Sequence, residues 1–251
     1  MNAAYRTLIA HNFKKNLQAR SSFFLDMAIM CINNLGFLLQ WKIFFLRFQS
    51  IGEWGMEDVA TSLVIMMASY GSMLIFFGGV RLIPQYIVHG DIDLFLLQPK
   101  NILLKMLFSQ SYPRGFGNLL SATLFILLFR LYSYPHFLLI PFFILIGTLL
   151  LTSIRLTINS LIFWIPSIEE ISEKYIDAFF MMSSYPSNIY SGFIRLLTFT
   201  LFPVAFITFL PVEILRTFSL DYCLYYILGT LFFLTLAFTS FYLGLRRYLK
   251  K

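Results

Sequence analysis

The chain has 251 residues, of which 59% are hydrophobic and only 12% charged, and its mean hydropathy is +0.76. Soluble domains carry about 25% charged residues, so this composition excludes an ordinary soluble domain. The formal net charge is +7, but the basic residues gather at the ends of apolar runs, which argues against a nucleic-acid partner. The sequence therefore predicts a polytopic membrane protein.

Residues 1–20 precede the first apolar run and are predicted to form an amphipathic helix at the inner membrane interface. Apolar residues recur at helical spacing, and polar or basic residues occupy much of the remaining surface. The apolar set is Tyr5, Leu8, Ile9, Phe13 and Leu17, and the polar set is His11, Lys14, Lys15 and Gln18. The alternative is an ordinary cytoplasmic helix packed on protein.

Six apolar windows approach the roughly 20 residues that a membrane-crossing helix needs. They are residues 22–46, 59–83, 115–132, 136–165, 190–210 and 222–245. Pro203 and Pro211 interrupt the fifth window, which indicates a broken or re-entrant helix there. The predicted fold is all-α, with six transmembrane helices in a single permease-like domain over 1–251.

The distribution of Lys and Arg predicts the orientation of these helices, because cytoplasmic loops carry an excess of positive charge. With the N-terminus inside, fourteen of the nineteen basic residues fall on the cytoplasmic side, Arg195 among them. Only Lys42, Arg47, Arg130 and Arg216 would lie outside. Both termini are therefore predicted to be cytoplasmic.

The segment 84–105 is the first cytoplasmic connection and a long polar interruption of the apolar chain. We expect the second helix to continue to His89, and Gly90 to stop it in the left-handed conformation. Asp91 is then expected to cap a new turn that ends at Pro99. The expected apolar contacts of that turn are Leu94, Phe95 and Leu97. A short helix with an apolar face suits the groove of a partner protein. The alternative is a loop that folds back on its own spans.

Residues 166–189 are predicted to be the second cytoplasmic connection. Ser167, followed by Glu169 and Glu170, favours a helix start, because acidic residues are stabilised near the positive end of the helix dipole. Ser184, Tyr185 and Pro186 are expected to end that helix.

Ionisable and amide residues inside the apolar windows are functional candidates by default. Asp26 and Arg155 have similar predicted depths, which would allow an ion pair between two spans. Asn33, Asn34 and Asn159 would extend that polar seam. The seam is either a piece of a translocation path or subunit interface, or a paired charge that orders the bundle.

The sequence holds no G-x-x-x-x-G-K-[ST] motif, so an ATP-driven activity would need ATP and Mg²⁺ bound by another chain. The three histidines, His11, His89 and His136, are far apart and form no recognisable metal motif. We therefore predict no metal site, no cofactor and no catalytic residue in this chain.

Three stretches of the sequence resemble the ABC-2-type export permeases, in particular their compact six-span branch. The first is the run from Arg20 to Leu25 that enters the first span, and the second is GDIDLFLLQPK from Gly90 to Lys100. The third is the spacing of Tyr185-Pro186, Ile189-Tyr190, Pro203 and Pro211. The resemblance that rests on these stretches extends over nearly the whole chain.

This resemblance implies a permease subunit of an ATP-binding-cassette exporter in the inner membrane of a prokaryote. In that family the segment after the second span is a coupling helix seated in a cleft of the ATPase. The residues carried over to that role are His89, Gly90, Asp91, Asp93, Leu94, Leu97, Pro99 and Lys100. The implied assembly has two ATPases and two permeases, identical or siblings, surrounded by lipid. A broken element near Pro211–Leu220 would line the outer exit.

Two other classes of function compete with this interpretation. A membrane-embedded lipid-modifying enzyme would need clustered catalytic residues at one membrane face, and only Asp91 and Asp93 come close. An ion-coupled secondary transporter would need repeated halves and charges at the membrane midplane. Neither pattern is evident in the sequence.

Overall fold

The computed structural model of the protein describes residues 11–12, 14, 18, 20–97, 101–133, 136–165, 168–186 and 189–250. Most of the predicted interfacial helix 1–20 lies outside these residues, as do Pro99 and Lys100. The described helices, in chain order, are α1 Arg20–Arg47, α2 Met56–Phe76, α3 Ile83–Val88, α4 Ile92–Leu96, α5 Ile102–Leu107, α6 Arg114–Leu128, α7 Ile140–Ser160, α8 Ile168–Ser183, α9 Gly192–Leu197, α10 Phe209–Thr217 and α11 Leu220–Tyr248. Short 3-10 turns extend several of them.

Four of these helical segments are long and apolar enough to cross a membrane, judged by length and composition. They are Arg20–Arg47, Met56–Phe76, Phe137–Phe163 and Leu220–Tyr248. They correspond to the first, second, fourth and sixth predicted windows. The third window forms α6, which is apolar but has only 15 residues. The all-α polytopic prediction holds for the part of the chain that the structure describes.

Helix α2 lies at the centre of the bundle, packed between α6 and α7. Glycines allow α2 and α6 to approach closely, since a Cβ on Gly71 would lie 2.7 Å from the carbonyl oxygen of Gly115. Gly147 of α7 likewise faces Ser69, whose Oγ would lie 2.3 Å from an added Cβ. Small residues at helix contacts let backbones approach where lipid supplies no hydrophobic drive.

The fifth predicted window, 190–210, does not form one continuous span. The short helix α9 ends at Leu197, and a 3-10 turn, Val204–Phe206, follows Pro203 before α10 begins. The break agrees with the expectation from Pro203. Pro211, however, lies in the first turn of α10, where its missing N–H removes no helical hydrogen bond.

Helix α8, predicted as part of a connection, is packed against the long helices along its length. Near its start Ser172 donates a hydrogen bond to Asn159 of α7. Two turns later Phe180 packs on Tyr70 of α2, with ring centroids 4.3 Å apart. Just past its end, the Ser184 carbonyl accepts a 3.1 Å bond from Trp41 Nε1, in the last third of α1. The helix therefore runs beside α1 and α2 instead of lying clear of them.

The segment after α8 folds back along it. Tyr190 donates a 3.0 Å hydrogen bond to the Met182 carbonyl, and Tyr175 both stacks on Phe202 and donates to the Leu201 carbonyl. Residues 190–202 thus return toward the start of α8.

Helix α10 then reaches the end of the bundle where α2 begins. Trp54 donates a 2.7 Å bond to Glu213, and Arg216 forms ion pairs with Asp58 (3.6 Å) and Glu213 (3.3 Å). These contacts join the α1–α2 loop to α10. Residues 190–217 therefore form a hairpin that enters the bundle from that end and returns to it.

Candidate functional site

The polar segment after α2 begins earlier than the sequence predicted. Helix α2 ends at Phe76, and a 3-10 turn, Gly78–Leu82, replaces the expected continuation to His89. A Cβ on Gly79 would lie 1.9 Å from the Met106 carbonyl oxygen, so α5 approaches the backbone where the helix stops. The chain resumes as α3, and Gly90 then adopts a φ of +80°, the left-handed conformation expected for it.

Asp91 does not cap the following helix α4, contrary to expectation. Its backbone is already helical, and its side chain accepts no capping hydrogen bond. Instead, Asp93 Oδ1 accepts a 3.1 Å bond from the hydroxyl of Tyr248 at the end of α11. The side chain of Asn101 caps α5 through Leu104 N and donates to the Tyr242 hydroxyl at 3.0 Å. The segment is thereby attached to α11.

The inner side of the segment is a small apolar core. Ile92 is fully buried, and the rings of Tyr86 and Phe95 pack with centroids 5.0 Å apart. Burial raises the pKa of Tyr86, whose hydroxyl shares a 2.9 Å hydrogen bond with Ser109. Tyr86 therefore stays protonated across the physiological range, and this contact does not titrate there.

The side of the segment that faces away from the helix bundle is uncovered. Leu94 is 61% exposed and Leu97 is 82% exposed, beside the exposed side chains of His89 and Asp91. A mixed apolar and polar surface on a firmly held backbone is suited to a protein partner. The structure thus brings together the described members of the predicted coupling surface.

The predicted ion pair between Asp26 and Arg155 is wrong. Arg155 is almost fully buried and pairs with Glu173 of α8, which also lies 3.8 Å from Arg81. Asp26 instead pairs at 3.4 Å with Arg114, at the start of α6. Similar depth allowed the predicted pair, but the two residues lie on helices that do not face each other there. The position of a residue along a predicted span does not show which way its side chain points around the helix.

The predicted seam of asparagines is also divided. Asn159 donates a 2.7 Å bond to the Val80 carbonyl and accepts from Ser172, so it links α7, α8 and the turn before α3. Asn34 donates a 3.0 Å bond to Asn118 of α6. Asn159 and Ser172 thus join the same two helices as the pair of Arg155 and Glu173, and we call these four residues the Arg155 cluster. Asn34 lines a separate cavity.

That cavity has a volume of about 400 Å³ and lies between α1, α2, α6 and α8. Asn33 and Asn34 line it from α1, and Asp177 and Phe180 line it from α8. Two of the five predicted intramembrane polar residues therefore line this cavity. Asp26, Arg155 and Asn159 lie elsewhere.

Sequence reasoning missed Glu173 and Asp177, because it placed them in a cytoplasmic connection. With Glu169 they recur every fourth residue, which puts three carboxylates on one face of α8. The structure uses this face: Gln85 donates a 3.0 Å bond to Glu169, Glu173 pairs with Arg155, and Asp177 lines the cavity. The four-residue spacing was the available signal. No group of three or more His, Cys, Asp or Glu residues within the described ranges has metal-binding geometry.

The fold and these surfaces define a multi-pass helical membrane protein with a structured, uncovered segment between two membrane helices. The sequence contains no P-loop of its own. A family model described as ABC-2 family transporter protein matches residues 31–251. The chain belongs to that family. No curated protein and no solved structure gives a significant match.

Membership makes the chain a membrane-embedded permease component of an ABC transport system, in which the ATPase is a separate subunit. The match begins within α1 and runs to the last residue, so it covers the uncovered segment, the Arg155 cluster and the cavity.

Proposed function

We propose that the chain couples ATP hydrolysis in a separate ATPase subunit to export of a substrate, and that residues 84–105 are the point of coupling. The observation that carries the proposal is the uncovered surface of α4. Leu94 and Leu97 are exposed, whereas Ile92 behind them is buried. ATP and Mg²⁺ would be bound by the ATPase, and His89, Gly90, Asp91, Asp93, Leu94, Leu97, Pro99 and Lys100 would form the contact surface.

The polar network supplies a route by which a push on α4 reaches the bundle. Gln85 on α3 bonds Glu169, and Arg81 lies near Glu173, so two contacts connect this segment to α8. Arg81 is further held by Tyr112, whose ring centroid lies 5.1 Å from the guanidinium carbon. Movement of the segment would therefore displace α8, which lines the cavity.

The proposed topology keeps six crossings but changes the fifth. We assign the fifth crossing to α8 together with the residues that follow it, because these contact α7, α2 and then α1 in turn. The hairpin 190–217 becomes an outer element. Arg195, 5.7 Å from the ring centroid of Phe209, moves with it to the outer side. Both termini remain cytoplasmic, and the excess of basic residues on that side persists.

A second permease, identical or a sibling, is proposed to cover the face formed by α1 and α8. Only 17% of the apolar window of α1 is buried. Asn33 and Asp177 are exposed on this face, and polar groups at membrane depth are costly against lipid. The assembly would thus contain two permeases and two ATPases. Its location would be the inner membrane of a prokaryote, with lipid on the remaining apolar surfaces.

The experiment is purification of the tagged chain in mild detergent with its candidate ATPase. Leu94→Arg should weaken ATPase retention at least about tenfold, an effect of about 1.4 kcal/mol. Leu249→Arg is the matched control, because Leu249 is an exposed leucine just past the end of α11. Equal retention by the two variants, or no retained ATPase in the unmodified protein, would sink the proposal.

A further inference from the structure

The cavity between α1, α2, α6 and α8 has a lining of unusual charge. Among the described residues that line it, Asp177 is the one carboxylate, and none is a lysine or arginine. Within the described part of the chain, Asp177 makes no hydrogen bond or ion pair, whereas Glu169 and Glu173 on the same helix face both have partners. The described lining therefore contains a carboxylate and no basic side chain to pair with it.

The depth of Asp177 makes that isolation costly. It lies one turn beyond Glu173 and one turn before Phe180, whose ring packs on Tyr70 inside α2. A carboxylate at this level is normally paired or faces a water-filled path. The missing partner would therefore be supplied by what enters the cavity.

The other polar groups of the lining are compatible with a cation. The side-chain amide of Asn34 donates to Asn118, and that of Asn118 donates to the Arg114 carbonyl at 3.4 Å. The Asn34 amide oxygen makes no hydrogen bond to any described residue, so it is left as an acceptor. The side chains of Asn33, Tyr70 and Tyr185 also line the cavity without a hydrogen bond to a described residue, and each can donate or accept. The charge of Asp177 decides between the two signs, because it attracts a cation and repels an anion.

The rest of the lining suits a large apolar body that carries a delocalised charge. Phe37, Tyr70, Phe180 and Tyr185 present aromatic rings, which attract cations through their faces. Met30, Met66, Met67 and Met181 add flexible, polarizable thioethers that adapt to irregular shapes. The volume of about 400 Å³ lies within the range of about 300–1,000 Å³ typical of small-molecule sites.

We propose that this cavity binds a lipophilic monovalent organic cation as the transported substrate, with Asp177 as its counter-ion. The proposal rests on the export function proposed above and specifies its substrate class. The aromatic and thioether side chains hold the apolar body, and the Asn34 amide oxygen accepts any N–H group. Asn33 and Asp177 are exposed at the face of α1 and α8. The second permease proposed above covers that face, so the bound cation would lie beside the contact between the two permeases.

The test uses two probes of nearly equal shape and opposite charge, tetraphenylphosphonium and tetraphenylborate. Saturable binding is measured by equilibrium dialysis to the full chain in lipid nanodiscs, with empty nanodiscs as the partition blank. We expect saturable binding of tetraphenylphosphonium only. Asp177→Asn should lower its affinity at least about tenfold, which corresponds to about 1.4 kcal/mol.

Two variants control for loss of charge elsewhere and for loss of fold. Glu170→Gln removes an exposed carboxylate from the same helix and should leave binding unchanged. Asp177→Glu retains the charge and should retain most of the affinity. If Asp177→Asn does not reach the folded state, Phe37→Leu removes an aromatic ring of the lining on α1 and leaves the carboxylate unchanged, so it should weaken binding. Saturable tetraphenylborate binding, or full affinity in the Asp177→Asn or Phe37→Leu protein, would overturn the proposal.

The two proposals fail in different ways. An ATPase retained through Leu94, with no saturable tetraphenylphosphonium binding, would leave the coupling proposal standing and remove the substrate class. Cation binding that depends on Asp177, in a chain that never retains an ATPase, would remove the coupling proposal and leave a cation site in the cavity.

Discussion

Helices α1 and α2 are nearly equal in apolar character but differ in packing. Their most apolar windows have mean hydropathies of 1.6 and 1.8, yet 17% of the first and 83% of the second is buried. The glycines within the two helices differ in the same way. Gly71 of α2 lies against Gly115, whereas nothing lies within 4 Å of a Cβ added to Gly36 of α1. Hydropathy thus identifies membrane helices, and small-residue contacts decide which of them lie at the centre.

The largest expected effect comes from Gly71→Leu. The added side chain would overlap the Gly115 carbonyl and the Asn118 Cβ at 2.7–2.9 Å, so α2 and α6 must separate. We expect a loss of about 3 kcal/mol or failure to fold, at the upper end of overpacking costs. Thermal unfolding of the monomer in detergent measures this. Gly36→Leu is the matched control and should change stability by less than about 0.5 kcal/mol. Equal losses in both variants would refute the packing difference.

A second test compares a buried arginine with an exposed one. Arg155→Gln leaves Glu173 without its nearest cation and should destabilise the fold by about 2–3 kcal/mol, below the full cost of breaking a buried pair because Glu173 is half-exposed. Arg114→Gln breaks the pair that ties α6 to Asp26 on α1, where both groups are exposed, and should cost about 0–1 kcal/mol. The same unfolding measurement compares them. A larger effect of Arg114→Gln would show that the exposed pair with Asp26 stabilises the fold more than the buried pair of Arg155 with Glu173 does.

Parts of this architecture could be predicted from the sequence, because they depend on local chemistry. Long apolar runs predicted α1, α2, α7 and α11, and Gly90 predicted the left-handed break. Helix α8, which we propose as the fifth crossing, was not recognised as one from the sequence, because Glu169, Glu173, Lys174 and Asp177 make it too polar for a hydropathy window. The apolar window 190–210 was misleading for the opposite reason, since its break at Pro203 keeps it from forming a span.

The candidate site also has parts that the sequence predicts and parts that it does not. The uncovered surface at Leu94 follows from the polar interruption around Gly90, which is visible in the sequence. The partner of Arg155 could not be predicted, because pairing depends on which helices are neighbours and how each is rotated. The cavity depends on four helices at once, and only its α1 residues, Asn33 and Asn34, were predicted as polar candidates.

A third test concerns the buried bond between α1 and α6. Asn34→Leu removes the donor to Asn118 and leaves that buried amide oxygen unsatisfied. We expect a loss of about 1–2 kcal/mol, within the usual cost of an unpaired buried polar group. Unfolding of the variant should be compared with that of Asn33→Leu, because Asn33 is exposed and makes no hydrogen bond to a described residue. If both variants unfold alike, the bond between Asn34 and Asn118 does not stabilise the contact of α1 with α6.

The smallest effect on the isolated fold should be the most informative about assembly. Gly36→Leu changes a position with open space around it, so the monomer should keep its unfolding temperature. If a second permease covers α1, the added side chain would fill that space at the contact between copies, and pairing in nanodiscs should weaken. Single-molecule photobleaching counts the copies, and Leu231→Trp on the exposed side of α11 is the control. Pairing that survives Gly36→Leu but is lost in Leu231→Trp would assign the contact to α11, and the low burial of α1 would then reflect lipid.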